Sequence, residues 1–128
     1  DINIITKTNK FILTNNTLIY KDNPNIKMTY LTVHKSKGLE EENIIIINLT
    51  NKKTGFPNKI QDNKILKYVS CKEDNYKYAE ERRLFYVAIT RTKNITYLLT
   101  PEKNESIFIT ELKKDYKNKI KIVRNNKF

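Results

Sequence analysis

Cysteine occurs once in this chain of 128 residues, at Cys71, and histidine once, at His34. These single copies exclude an intramolecular disulfide and any multi-cysteine or multi-histidine metal site. Cys71 reads as an ordinary loop or core residue, with no partner to activate it. Glycine occurs only twice, at Gly38 and Gly55. The phosphate-cradling pattern G-x-x-x-x-G-K-[ST] therefore has nowhere to sit, and no acidic box follows a strand. Tryptophan is absent, and the eight tyrosines form no recognisable stacking platform. No apolar run approaches a membrane span; the longest obvious one is residues 44–47. Residues 1–5 lack the basic start of a signal peptide and any Met, so the chain reads as cut from something longer. A cytoplasmic location and no membrane partner are the simplest expectations.

What is abundant is positive charge. Lysine and arginine number 25 against 14 acids, a formal net charge of +11. That excess fits a polyanionic partner such as nucleic acid. It fits equally well an AT-rich coding bias that fills a surface with lysine. Arginine is scarce by comparison: Arg82, Arg83, Arg91 and Arg124. Where lysine is the default cation an arginine carries more information, and three of these four fall within one stretch.

That stretch is Glu80-Glu81-Arg82-Arg83-Leu84-Phe85-Tyr86-Val87-Ala88-Ile89-Thr90-Arg91-Thr92-Lys93. It has no Pro or Gly and predicts a helix over about residues 78–92. Leu84, Val87 and Ala88, at i, i+3, i+4 spacing, are expected to face the core, with Tyr86 also in the core. Arg82 and Arg83 are expected to pair with Glu80, Glu81 or a neighbouring loop. Arg91 falls at the helix end. There it either caps the C-terminus, where a cation suits the dipole, or is held for a phosphate.

Elsewhere, residues 2–6 read as a strand. Residues 11–20 read as a frayed helix or two short strands, and residues 22–25 as a turn. Residues 26–33 read as a strand leading into the polar loop His34-Lys35-Ser36-Lys37-Gly38. Residues 43–49 are a β-branched run suited to burial on both faces of a parallel sheet. Gly55-Phe56-Pro57 is a turn with an aromatic anchor, and residues 60–68 a short helix. Residues 95–100 and 120–123 read as strands. Residues 105–114 read as a helix with Ile107, Phe108 and Leu112 inward. Strands alternating with helices or long connections predict an α/β layer structure with a mainly parallel sheet. Ligands bind such sheets at loops following the carboxyl ends of strands. Lys7, Lys35/Lys37 and Arg91 are therefore expected to converge on one sheet edge.

The segment Thr32-Val33-His34-Lys35-Ser36-Lys37-Gly38-Leu39-Glu40 resembles motif V of the UvrD/Rep-type superfamily 1 DNA helicases. Residues 80–93 resemble their motif VI, and Gly55-Phe56-Pro57 lies between the two, as in that family. The short link from motif IV to motif V is most like the helicase IV branch. The resemblance covers nearly the whole chain. It implies a RecA-like (P-loop NTPase-type) three-layer domain without its own P-loop: the C-terminal, second motor domain over residues 1–124, with a tail at 125–128.

The resemblance also implies roles. Arg91 matches the arginine finger that reaches the γ-phosphate of ATP, stabilising the charge that develops during phosphoryl transfer. Glu40 matches an acid that bonds the nucleotide sugar, and Gly38 lets backbone approach the nucleotide. Lys7 aligns with a motif IV arginine, keeping the charge but losing the bidentate fork. His34 and Lys37 match contacts to single-stranded DNA phosphates. The implied cofactors are ATP and Mg²⁺, bound mainly by a first motor domain that this chain lacks. The implied partners are that N-terminal motor domain and single-stranded DNA or a duplex/single-strand junction. Thr6 stands where an adenine-stacking Tyr is usual, Glu41 where an aromatic is usual, and Thr92 where Ala is usual. Two rival readings stay open: a helicase-like ATPase acting on RNA polymerase, and a non-enzymatic binding module descended from a helicase.

Overall fold

The computed structural model describes residues 11–15, 17–60 and 77–124, and the chain divides into two units, Asp1–Glu40 and Glu41–Phe128. In the first unit β1 (Phe11–Thr14), β2 (Thr17–Tyr20) and β3 (Lys27–Thr29) form an antiparallel sheet in that order. Thr14 lies opposite Thr17, and Asn15 enters the turn with a φ of 44°. Asparagine tolerates that left-handed conformation better than most residues. The second turn is closed by Tyr20 N–H donating to the Ile26 carbonyl and by Asn25 N–H donating to Asn23 Oδ1 at 3.2 Å. Leu18 on β2 is buried.

The second unit is built on β4 (Glu41–Ile46) and β5 (Thr92–Leu98), which pair in parallel from Glu41↔Thr92 to Ile46↔Leu98. Parallel neighbours need a long crossover, and helix α1 (Ala79–Ile89) lies within it. Helix α2 (Ile107–Asp115) follows β5. The core consists of Ile46, Leu49, Phe85, Ala88, Phe108 and Ile109, with Pro57 also fully buried. Its centre is aromatic. Phe56 meets Phe85 and Phe108 edge-on at 5.7 and 5.8 Å between centroids, and Phe85 stacks on Phe108 at 5.0 Å. Edge-to-face and offset contacts of this kind suit the ring quadrupole.

Two small residues make this packing possible. A Cβ built on Gly55 would stand 2.1 Å from the Thr50 carbonyl oxygen, so only glycine lets the loop pass there. Ser106 is fully buried and ties three segments together. Its Oγ caps α2 by accepting from Phe108 N–H at 3.3 Å, and donates to the Phe56 carbonyl. Its own N–H donates to the Leu49 carbonyl at 3.1 Å.

One ion pair ties the two helices together. The Arg82 guanidinium on α1 forks onto both oxygens of Glu111 on α2, at 2.6 and 2.8 Å, and lies over the Phe108 ring. Bidentate geometry makes this stronger than a single-contact pair. The hydrogen bonds from Arg82 hold the Glu111 carboxyl below the ordinary carboxylate range. Lys113 does the same to Glu105.

Several expectations need correcting. The sheet is not mainly parallel among the described residues: three strands are antiparallel and two are parallel. The turns between β1, β2 and β3 are too short for anything but reversal. Of the two alternatives for residues 11–20, the two short strands form, at Phe11–Thr14 and Thr17–Tyr20, whereas the strand expected over 26–33 is confined to Lys27–Thr29. Residues 120–123 are no strand, although their apolar/basic alternation has the right period, because no described strand borders them. Ile45 is 48% exposed, so β4 is not buried on both faces. On α1 the buried positions are Phe85 and Ala88, while Leu84 and Val87 are half-buried. Ala88 is buried as expected, and the larger Phe85 ring takes the core side beside it. Tyr86 is consequently 66% exposed rather than in the core. On α2 Phe108 and Ile109 are buried, and Ile107 and Leu112 only half-buried. The expected strand at 2–6, most of the expected helix at 60–68, and Cys71 lie outside the described residues. Among the described residues no helix is long and apolar enough to cross a membrane.

Ser106→Ala should lower stability by about 1–3 kcal/mol, because the α2 cap is lost and the Phe56 carbonyl loses its donor. Denaturant unfolding of the two proteins reads this directly. The depressed Glu111 carboxyl sets a pH dependence. Its contribution is complete above the ordinary carboxylate range and is lost as pH falls through the lowered folded value. Glu111→Gln should therefore melt earlier than the parent chain at neutral pH, and this difference should shrink on acidification.

Candidate nucleotide and nucleic-acid site

Residues 32–40 close the first unit as a tight, self-bonded loop. A 3₁₀ turn spans His34–Ser36. Thr32 Oγ1 accepts from Lys35 N–H at 3.3 Å, Ser36 Oγ donates to the Val33 carbonyl at 2.7 Å, and Leu39 N–H donates to the Ser36 carbonyl at 3.0 Å. The small hydroxyl residues thus satisfy the backbone, and the side chains of His34, Lys35 and Lys37 are left exposed. Gly38 has a φ of 84°, where a side chain is strained. A Cβ at Gly38 would meet nothing within 4 Å, so its backbone is open to approach. Glu40, also exposed, ends this unit. His34, Lys37, Gly38 and Glu40 therefore share one loop. Lys7 lies outside the described residues.

Arg91 belongs to the second unit, in the short link from α1 to β5. Its backbone is held on both sides: its N–H donates to the Ala88 carbonyl at 3.4 Å, and its carbonyl accepts from Glu41 N–H at 3.0 Å. The half-buried side chain folds back, and Nε donates to the Val87 carbonyl at 3.2 Å. One terminal nitrogen lies 3.4 Å from Thr90 Oγ1. Among the described residues no carboxylate pairs with Arg91. Both readings of Arg91 thus keep a physical footing. It bonds a carbonyl of the last helical turn, and it retains guanidinium N–H groups and an unneutralised charge for an anion.

Four residues to which the sequence assigned no such role brace the second unit around this link. Thr92 Oγ1 lies 3.1 Å from the Glu42 carbonyl and 2.9 Å from that of Ile95, across the irregularity where β4 and β5 change register. A bulge leaves backbone groups unpaired, and this hydroxyl serves them. Glu81 accepts from Asn58 N–H at 2.9 Å, anchoring the loop after Pro57 to the first turn of α1. Ser106 has a sequence signal, a serine directly before an apolar-periodic helix. Glu111 has none: Arg82 was expected to find its acid nearby, and its partner is 29 residues away on another helix.

A family model for the UvrD-like helicase C-terminal domain matches residues 2–103. DNA helicase IV of Escherichia coli (strain K12) is 32% identical over 90 residues, which is 70% of this chain and 13% of the relative. A probable DNA helicase of Mycoplasma pneumoniae is 37% identical over 79 residues, 62% of this chain and 13% of the relative. The RecBCD enzyme subunit RecB of Borreliella burgdorferi is 35% identical over 95 residues, 63% of this chain and 8% of the relative. The chain therefore spans about an eighth or less of the length of these relatives. No solved structure matches it significantly. With the two motifs, the model match and these relatives in agreement, the chain belongs to the UvrD-like helicase C-terminal domain family.

Proposed function

We propose that residues 1–124 are the second, RecA-like motor domain of an ATP-dependent DNA helicase of the cytoplasm, with 125–128 a tail. A RecA-like three-layer arrangement of this domain is what its family membership supports. The observation that carries this reading is Arg91, a half-buried arginine whose backbone is pinned on both sides and whose charge no described carboxylate neutralises. The open backbone at Gly38 supports it from the nucleotide side.

By residue type, the chain carries what half of an ATP site would need. Arg91 is the catalytic residue: its guanidinium meets the γ-phosphate and offsets the charge that builds during transfer. Lys7 adds a second cation there. Gly38 admits the nucleotide close to the backbone, and Glu40 accepts a hydrogen bond from its sugar. Bound with Mg²⁺, ATP supplies the phosphoanhydride bond whose cleavage drives the motor; the N-terminal motor domain of the parent holds the metal. His34 and Lys37, on the same loop as Glu40, contact the phosphates of single-stranded DNA, at or near a duplex junction. That loop would therefore relay a change at the nucleotide to the grip on the strand.

In the parent protein, Arg91→Ala should lower ATP turnover by orders of magnitude and leave single-stranded DNA affinity nearly unchanged. Steady-state ATPase assays with parallel anisotropy titrations measure both, and equal loss of the two would overturn the finger assignment. The isolated 128-residue chain should show no ATPase or helicase activity. A robust Mg²⁺-dependent rate that Arg91→Ala abolishes would sink the half-site reading.

A further inference from the structure

The end of the second unit carries a charge pattern that neither the 32–40 loop nor Arg91 explains. Six of the 12 residues from 113 to 124 are basic and only Asp115 is acidic, against 25 basic residues in all 128. This density is more than twice that of the chain as a whole, so a uniform lysine bias does not account for it. Lys113 is paired with Glu105, and Arg124 with Glu102 at 3.3 Å. Lys114, Lys117, Lys119 and Lys121 are exposed and form no ion pair among the described residues. They run from the end of α2 through the 3₁₀ turn Lys117–Lys119 into extended backbone at Ile120. Tyr116, at 51% exposure, stands among them with its ring accessible. The whole strip lies beyond residue 103, where the family match ends.

We propose that residues 114–121 form a second nucleic-acid contact, a sequence-independent strip that binds the phosphates of a single strand. Four unneutralised lysines supply the electrostatic contact, which gains free energy by releasing condensed counterions. Tyr116 offers a face on which a base can stack without sequence preference. A membrane surface fits less well, because such binding favours a helix with a broad apolar face, and this strip is a 3₁₀ turn and extended chain. The inference rests on the reading above that the domain works on nucleic acid. It adds a contact that would hold the strand independently of His34 and Lys37.

The test uses the 128-residue chain and a labelled oligothymidylate, titrated at several salt concentrations. Lys117→Gln, Lys119→Gln and Lys121→Gln combined should reduce the slope of log affinity against log salt by about 2, at roughly 0.7 per single-strand phosphate contact. A control of equal net charge, Lys21→Gln, Lys27→Gln and Lys53→Gln, should leave the slope unchanged, and both triple variants should melt with the parent chain. Equal slopes for the two triple variants would reduce the effect to bulk charge and overturn the strip. So would loss of binding to anionic vesicles with oligonucleotide binding intact. His34→Ala with Lys37→Ala separates the two readings. Weakened binding in that variant alone overturns the strip and keeps the loop; weakened binding in the strip variant alone overturns the loop and keeps the strip.

Discussion

Phe56 is the joint on which the second unit depends. Its ring is held edge-on by Phe85 of α1 and Phe108 of α2, and its carbonyl by the buried Ser106 hydroxyl. The loop reaches this position only because Gly55 has no Cβ to strike the Thr50 backbone. A buried serine costs free energy unless its hydroxyl is fully used, and Ser106 uses it both as donor and acceptor. One short loop thus sets the spacing of both helices, and through α1 the position of the link that carries Arg91. The Arg82–Glu111 fork closes the same arrangement from the surface side. Being more than one-third exposed, it contributes less to stability than to the angle between the helices.

Arg91 depends on that seating at one end and on the sheet at the other. Glu41, the first residue of β4, donates its N–H to the Arg91 carbonyl, and Thr92 fastens the next residue across the register change. Glu40 immediately precedes Glu41 in the chain. The residue proposed to bond the nucleotide sugar is therefore one peptide unit from the donor that fixes the proposed finger.

How much of this was legible in the sequence follows from the range of the forces involved. The helix at Ala79–Ile89, the strand it feeds and the loop at His34-Lys35-Ser36-Lys37-Gly38 are local, set by periodicity, propensity and glycine, and they stand near where the residues predicted them. On α1 Ala88 is buried as its spacing predicts, but Phe85 takes the place expected for Leu84 and Val87, because spacing cannot weigh a Phe ring against a Leu; only the aromatic partners do. Residues 120–123 have strand periodicity but pair with no strand among the described residues, and pairing is a tertiary event. Glu111 as the partner of Arg82, and Glu81 as the anchor of Asn58, were illegible for the same reason: each joins residues more than 20 positions apart. Arg91, Gly38 and Glu40 lie in short continuous runs of sequence, so the resemblance that singles them out needs no tertiary contact to be read.

Helix cap and phosphate ligand looked like rival roles for Arg91, yet the geometry lets one side chain hold both. Its cap bond uses Nε, the nitrogen nearest the chain, against the Val87 carbonyl. That bond orients the guanidinium plane without consuming both terminal nitrogens, which are the ones a phosphate would meet. A lysine has a single nitrogen at the end of a flexible stem, so a bond to Val87 would turn its whole charge inward. In a chain where lysine outnumbers arginine several-fold, a site that must be anchored and outward-reaching at once gives a physical reason for arginine at this position. On this argument the bond to the Val87 carbonyl would be the device that aims the proposed finger, and this chain forms it with its own backbone.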